Sequence, residues 1–477
     1  MSLRFLFTIP VLCVLTGCFE SPPFGVDADG GNTTGLEAPP DDFEPTDAAN
    51  ALVADQTRQD LLNAGIRAVD DAPVVSDALF DLGQALAFDK TLSGNRNISC
   101  LTCHHPSLGT DDDRSLPAGE GAVGLGSTRS DDPLVPRTAP PLFNLHTAQT
   151  LMWDGRIQEG RNGRFITPAG DDLTDEMQEV FTFGAVSAQA MFPVLNRTEM
   201  RGEVGDNELA NLSDDDPQAI WAGLMTRLAA VPEYPALFEA AYPGTDFDDM
   251  TFAHAANAIA GFEVGAFQSN DSRFERFMRG ENTLTQAELD GAEAFVASGC
   301  ARCHNGEGLS DQALHNTALA QIGPGTGDGT NGREDFGGGA VGTGPRYSFR
   351  TPPLTNVAMT GPWGHGGQFN ELDEFVDHYN NPAGSLNAYD PSDHINNRAL
   401  WPLHFDGSDA QIIATIDPQA AAQRGQGGGP GGGGGPGGGG TIASGAIVEF
   451  LNTLTSPSAR ELDWTVPDSV PSGLSVD

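Results

Sequence analysis

The sequence predicts a mainly α-helical protein built in two halves. Apolar residues recur at helical spacing in several stretches, strand signals are sparse, and one pattern, Cys-x-x-Cys-His, occurs once in each half. The first helix begins at Ser76, a favourable N-cap, after which Leu79, Phe80, Leu82, Leu86 and Ala87 recur at helical spacing. Further helical stretches cover 252–263, 284–297 and 442–454. The boundary between the halves is expected near residue 270, giving domains 73–270 and 271–465.

Ahead of the first helix, Arg4 and an apolar run over 5–15 lead into Thr16-Gly17-Cys18, the layout of an export signal over 1–18. Leu15-Thr16-Gly17-Cys18 resembles the bacterial lipoprotein box, whose cysteine is lipidated. The run is too short to span a bilayer, and no later stretch approaches the roughly 18–20 apolar residues required. The expected location is the periplasm or cell envelope, with a lipid at Cys18 as the one membrane contact. Residues 19–72, rich in Asp, Pro, Gly and Asn, read as a disordered tether. The stretch 425–440 is nearly all glycine and cannot bury enough surface to offset its ordering entropy. It reads as an insertion in the second domain.

Of six cysteines, Cys13 lies inside the signal and Cys18 at its end. The other four form Cys100-Leu101-Thr102-Cys103-His104 and Cys300-Ala301-Arg302-Cys303-His304, leaving none for a disulfide. This is the attachment pattern of c-type haem. Two thiols add across the porphyrin vinyl groups, and the adjacent histidine supplies a nitrogen to the iron. A zinc ribbon would place its cysteine pairs roughly 15–20 residues apart and gives no reason for histidine at the same offset twice. A redox dithiol needs one pair and no histidine. Each half is therefore expected to be a cytochrome c-like domain around one covalent haem c. The net charge of −42, from 66 acidic and 24 basic residues, excludes nucleic acid as a partner. It serves either solubility or the steering of a basic electron donor.

Over roughly 75–460 the sequence resembles the bacterial di-haem cytochrome c peroxidase family, the MauG branch included. The resemblance rests on motifs in order: Leu86-Ala87-Phe88-Asp89 with Leu92-Ser93-Gly94, Trp153-Asp154-Gly155-Arg156, Asn196-Arg197-Thr198-Glu199-Met200, Phe274-Glu275-Arg276-Phe277-Met278-Arg279-Gly280, and Phe349-Arg350-Thr351-Pro352-Pro353-Leu354-Thr355-Asn356-Val357. It implies that the N-terminal haem reduces hydrogen peroxide and the C-terminal haem receives electrons. His104 and His304 match the proximal ligands. Glu199 matches the acid that moves a peroxide proton, with Gln189 and Pro193 beside it in the distal pocket. Trp153 matches the relay between the haems. Thr360 and Pro362 match positions whose carbonyls bind a calcium ion, and the family's asparagine ligand for that ion falls at Thr138.

Two departures stand out. Peroxidases of the family that need reductive activation carry a capping histidine between the first haem motif and the tryptophan. Residues 121–128 occupy that stretch with none, and His146 lies too near Trp153 to match. The family's axial methionine on the second haem falls at Tyr379, the MauG-branch pattern, where tyrosine is either an iron ligand or a packed aromatic. The implied partners are hydrogen peroxide and a small cytochrome c or cupredoxin as donor. A MauG-like enzyme would instead oxidise residues of a protein substrate, and a non-catalytic carrier would keep both haems six-coordinate. The sequence leaves open whether the chain dimerises.

Overall fold

The computed structural model describes residues 48–421 and 442–477. The expected export signal and the glycine-rich stretch 425–440 lie outside them. The described chain is largely helical, with two small antiparallel sheets. One joins Thr150–Leu151, Ile157–Glu159 and Phe165–Ile166, and the other pairs Leu314–His315 with Phe349–Arg350.

The first expected helix runs Asp77–Phe88, its start fixed by the Ser76 hydroxyl accepting from the Leu79 amide at 3.4 Å. It crosses the Phe252–Ala266 helix so closely that a Cβ at Gly83 would collide with the Ala258 carbonyl. The same device recurs in the second half. Gln286–Ala297, closed at its start by a reciprocal Thr285–Glu288 capping box, crosses Ser444–Asn452 with Gly291 pressed against the Ala446 carbonyl.

Buried apolar residues form three clusters. The first is built chiefly from residues between Leu82 and Phe267, and the second joins Ala54, Leu61 and Ile66 to residues from Phe274 to Leu454. The third gathers Leu116 with residues from Ala318 to Ile412. The clusters are not continuous in sequence: Ala459, Leu462 and Val470, near the C-terminal end, rejoin the first.

The expected tether needs correction. Within 19–72, Ala48–Asn63 forms a 16-residue helix whose Ala54 and Leu61 are buried in the second cluster. Its buried face is completed by Thr57, which donates to Glu293 at 3.1 Å, and Arg58, which donates to the Phe277 carbonyl at 2.6 Å. That polar share is why the segment reads as a tether in the sequence. The chain then pairs with Gly306: Arg67 N–H donates to its carbonyl at 3.2 Å and its own N–H donates to Gly65 at 3.0 Å. This fixes the segment beside the second haem motif.

No described helix is long and apolar enough to cross a membrane.

Candidate active site

Each Cys-x-x-Cys-His unit folds as one tight helical turn, Cys100–Cys103 and Cys300–Arg302. The first is braced from two sides. Thr102 Oγ1 accepts from the Ser99 amide at 3.0 Å and donates to the Asp477 carboxylate, which also pairs with Lys90 at 2.5 Å. His104 Nδ1 donates to the Thr110 carbonyl at 3.1 Å, and His304 Nδ1 to the Leu309 carbonyl at 3.0 Å. Burial lowers both imidazole pKa values, so each ring is neutral and carries its lone pair on Nε2. That is the tautomer a metal ligand needs. All four cysteines are free. Burial pushes the Cys100 and Cys300 thiols up to about 12, unlike the lowered thiols of redox dithiols.

A cavity of about 530 Å³ is lined by Cys100, Cys103 and His104 together with Gln189, Pro193 and Glu199. Glu199 sits in Arg197–Arg201, a π-helical turn opened by Asn196, whose side chain accepts from the Glu199 amide at 2.9 Å. Such widened turns re-aim a side chain. Burial pushes the Glu199 carboxyl up to about 7, against the opposing pull of Arg156. Gln189 ends a short helix and Pro193 opens the next turn.

A second, narrower cavity of about 150 Å³ is lined by Cys300, Cys303 and His304 with Tyr379, Thr360 and Pro362. Tyr379 lies just past the Leu372–His378 helix, its ring edge-on to Phe375 at 5.6 Å, and burial raises its phenol above the usual range. Both cavities fit a thiol-attached, histidine-ligated prosthetic group in the chemistry of their donors.

Trp153 lines both cavities. It stands in the turn between Thr150–Leu151 and Ile157–Glu159, and its indole N–H donates to the Thr138 carbonyl at 2.9 Å. The Thr138 hydroxyl donates to the Arg114 carbonyl at 3.2 Å. His146 bonds the Asp70 carbonyl at 3.0 Å and lines neither cavity.

Three groups at these cavities were not singled out from the sequence. Glu263 lines the first cavity, 5% exposed, with one carboxylate oxygen unpartnered, and burial pushes it up to about 8. A lone acid on a helix buried on nearly every side was its signal. Arg350, buried, lines both cavities. His315 lines the second, held between Asp311 at 3.0 Å and Asp417 at 2.8 Å; chiefly through Asp311 it is raised to about 11 and stays charged.

Residues 77–283 match a family model described as di-haem cytochrome c peroxidase. Methylamine utilization protein MauG of Methylorubrum extorquens is 30% identical over 340 residues, 69% of this chain and 78% of that protein. The cytochrome c551 peroxidase of Pseudomonas aeruginosa is 29% identical over 308 residues, 63% of this chain and 71% of that one. Among solved structures, the di-haem peroxidase BthA from Burkholderia thailandensis superposes with a TM-score of 0.52 at 17% identity, over 86% of this chain and 97% of that one. A MauG-like protein associated with microbial copper homeostasis gives 0.50 at 23% identity, over 82% and 95%. These two likenesses are of fold. On the extent of its similarity to MauG, the chain belongs to the di-haem cytochrome c peroxidase family.

Proposed function

We propose that the chain reduces hydrogen peroxide in the cavity beside His104, with electrons arriving through the cavity beside His304. The observation that carries this reading is the presence of Glu199 in the same cavity as Cys100, Cys103 and His104, its carboxyl raised to about 7. A di-haem family implies two c-type haems, and the two Cys-x-x-Cys-His turns are their attachment points. When bound, the haems supply the redox chemistry: one peroxide takes two electrons and two protons and leaves as two waters.

The protein's own part is acid–base and positional. A carboxyl titrating near neutrality accepts the proton of one peroxide oxygen and returns it to the departing one. Gln189 and Pro193 shape the wall beside it. Trp153, common to both cavities, is the relay between them. No histidine occupies 121–128, so the first site stands ready without prior reduction. Tyr379, in the same cavity as His304, would supply the second haem's iron with a phenolate oxygen. The calcium reading rests on Thr360 and Pro362, with Thr138 standing where the family has its asparagine ligand. The two cytochrome c-like domains correspond to the two glycine-notched helix pairs. The net charge of −42 suits a small basic redox protein as donor, and location in the cell envelope, tethered at Cys18, follows from the N-terminal pattern. A second reading, oxidation of residues on a protein substrate, is favoured by Tyr379.

The test is Glu199→Gln, which removes the titrating group and keeps its shape. Stopped-flow reaction of the ferric protein with peroxide should slow by roughly 10²–10⁴, the usual worth of a positioned acid–base group, with two haems still attached by intact mass. An unchanged rate sinks the assignment.

A further inference from the structure

Three guanidinium groups line the first cavity, those of Arg137, Arg156 and Arg350. The first two have carboxylate partners: Arg137 meets Asp335 at 2.7 Å and Asp154 at 2.6 Å, and Arg156 meets Asp154 at 3.2 Å. Arg350 has none among the described residues. It is 6% exposed, its Nε and Nη1 reach only the Met152 and Thr351 carbonyls at 3.4 and 3.5 Å, and its Nη2 has no partner there. Burial pulls its pKa down to about 10. A cation shut away from water without a counter-charge is strongly unfavourable. A chain with 66 acidic residues against 24 basic ones had carboxylates to spare for this position and placed none there. The location is equally specific. The Phe349–Arg350 strand, paired with Leu314–His315, sets Arg350 in the wall of both cavities.

We propose that Arg350 binds propionate carboxylates of both haems, one guanidinium serving as the shared counter-ion of the two redox centres. The inference rests on the haem sites proposed above. Propionates are the carboxylates that haem itself brings, so they supply the charge the protein withholds. A planar fork of five N–H donors can hold two carboxylates at once, whereas an ammonium is a single point charge. A fixed positive charge beside a haem favours the added electron, so Arg350 holds both reduction potentials up together.

The experiment is a spectroelectrochemical titration of the full-length holoprotein, with intact mass as the check on haem content. Absence of covalent haem from the unsubstituted protein would sink the site reading itself, a failure distinguishable from failure of this inference. Arg350→Gln should lower both potentials while two haems remain attached, and Arg350→Lys should bring both back toward the starting values. Unchanged potentials, or a shift confined to one haem, overturn the shared role. Should the glutamine variant not mature, the lysine variant decides by resonance Raman. The propionate bending bands of both haems should move, and bands identical to the unsubstituted protein overturn the proposal.

Discussion

The Arg350 amide donates to the Trp153 carbonyl at 2.8 Å, tying the strand that carries the buried cation to the turn that carries the shared indole. Both side chains line both cavities, so the wall between the two haem sites is held as one unit. Trp153→Phe keeps the ring in that wall and removes both the oxidisable indole and its bond to Thr138. Haem content and the ferric spectra should stay as they are, and so should the first reaction with peroxide. Steady-state turnover with a reduced donor should fall, and turnover equal to the unsubstituted protein would remove Trp153 from the electron path.

The acidity of Glu199 gives a second prediction. Its carboxyl is raised to about 7, mainly by burial, and in the proposed role the form that would accept the peroxide proton is the carboxylate. The rate of the peroxide reaction should therefore rise with pH through about 7 and then level off. Glu199→Gln should be slow and flat across that range. A rise of the same shape in the glutamine variant would assign the titration to another group.

How far this was legible beforehand depends on where each signal resides. The haem turns, the Ser76 cap and the helical stretches are local patterns, and local patterns are visible in one sequence; that these helices cross at Gly83 and Gly291 is not. The Ala48–Asn63 helix was hidden because Thr57 and Arg58 carry much of its buried face. Arg350 was visible only as part of a motif, since a lone arginine does not announce that its counter-charge is missing. His315 depends on Asp417, about a hundred residues away, and only folding brings them to 2.8 Å.

Glycine-to-alanine substitution should have opposite outcomes at the two helix crossings and at a helical glycine away from them. Glycine to alanine within a helix ordinarily stabilises by up to about 1 kcal/mol. At Gly83 and Gly291 the new methyl meets a backbone carbonyl that cannot step aside. Overpacking of that kind typically costs about 1–3 kcal/mol, and here it outweighs the helical gain. Gly445, in the Ser444–Asn452 helix, has nothing within 4 Å of an added Cβ. Denaturant unfolding of the holoprotein should show Gly83→Ala and Gly291→Ala destabilised and Gly445→Ala neutral or stabilised. Three equal values would contradict the close crossings.

Glu263 should make stability fall with rising pH. Burial raises its carboxyl from 4.5 to about 8, so across that window the folded chain keeps a proton that the unfolded chain has released. Fewer protons bound in the unfolded state means that the free energy of unfolding decreases as pH rises. Glu263→Gln cannot titrate, and its advantage over the unsubstituted protein should grow between about pH 4.5 and 8. Melting curves across that range check it, and a constant difference would show that Glu263 is ionised in the folded protein.

Tyr379 decides between an iron ligand and a packed aromatic, and the two readings separate by spectrum. Burial favours the neutral phenol. A phenolate there needs a cation to hold it, and a ferric iron bound by His304 would be that cation. The ferric protein should then show one high-spin haem at the first site and one low-spin haem at the second. Tyr379→Phe keeps the ring against Phe375 and removes the ligand oxygen, so the second haem should turn high-spin. Tyr379→Met should restore a low-spin haem at higher potential, because phenolate stabilises oxidised iron and thioether sulfur the reduced form. If Tyr379→Phe leaves the second haem low-spin with an unchanged spectrum, the tyrosine is packing alone, and the oxidation of a protein substrate loses the residue that favours it.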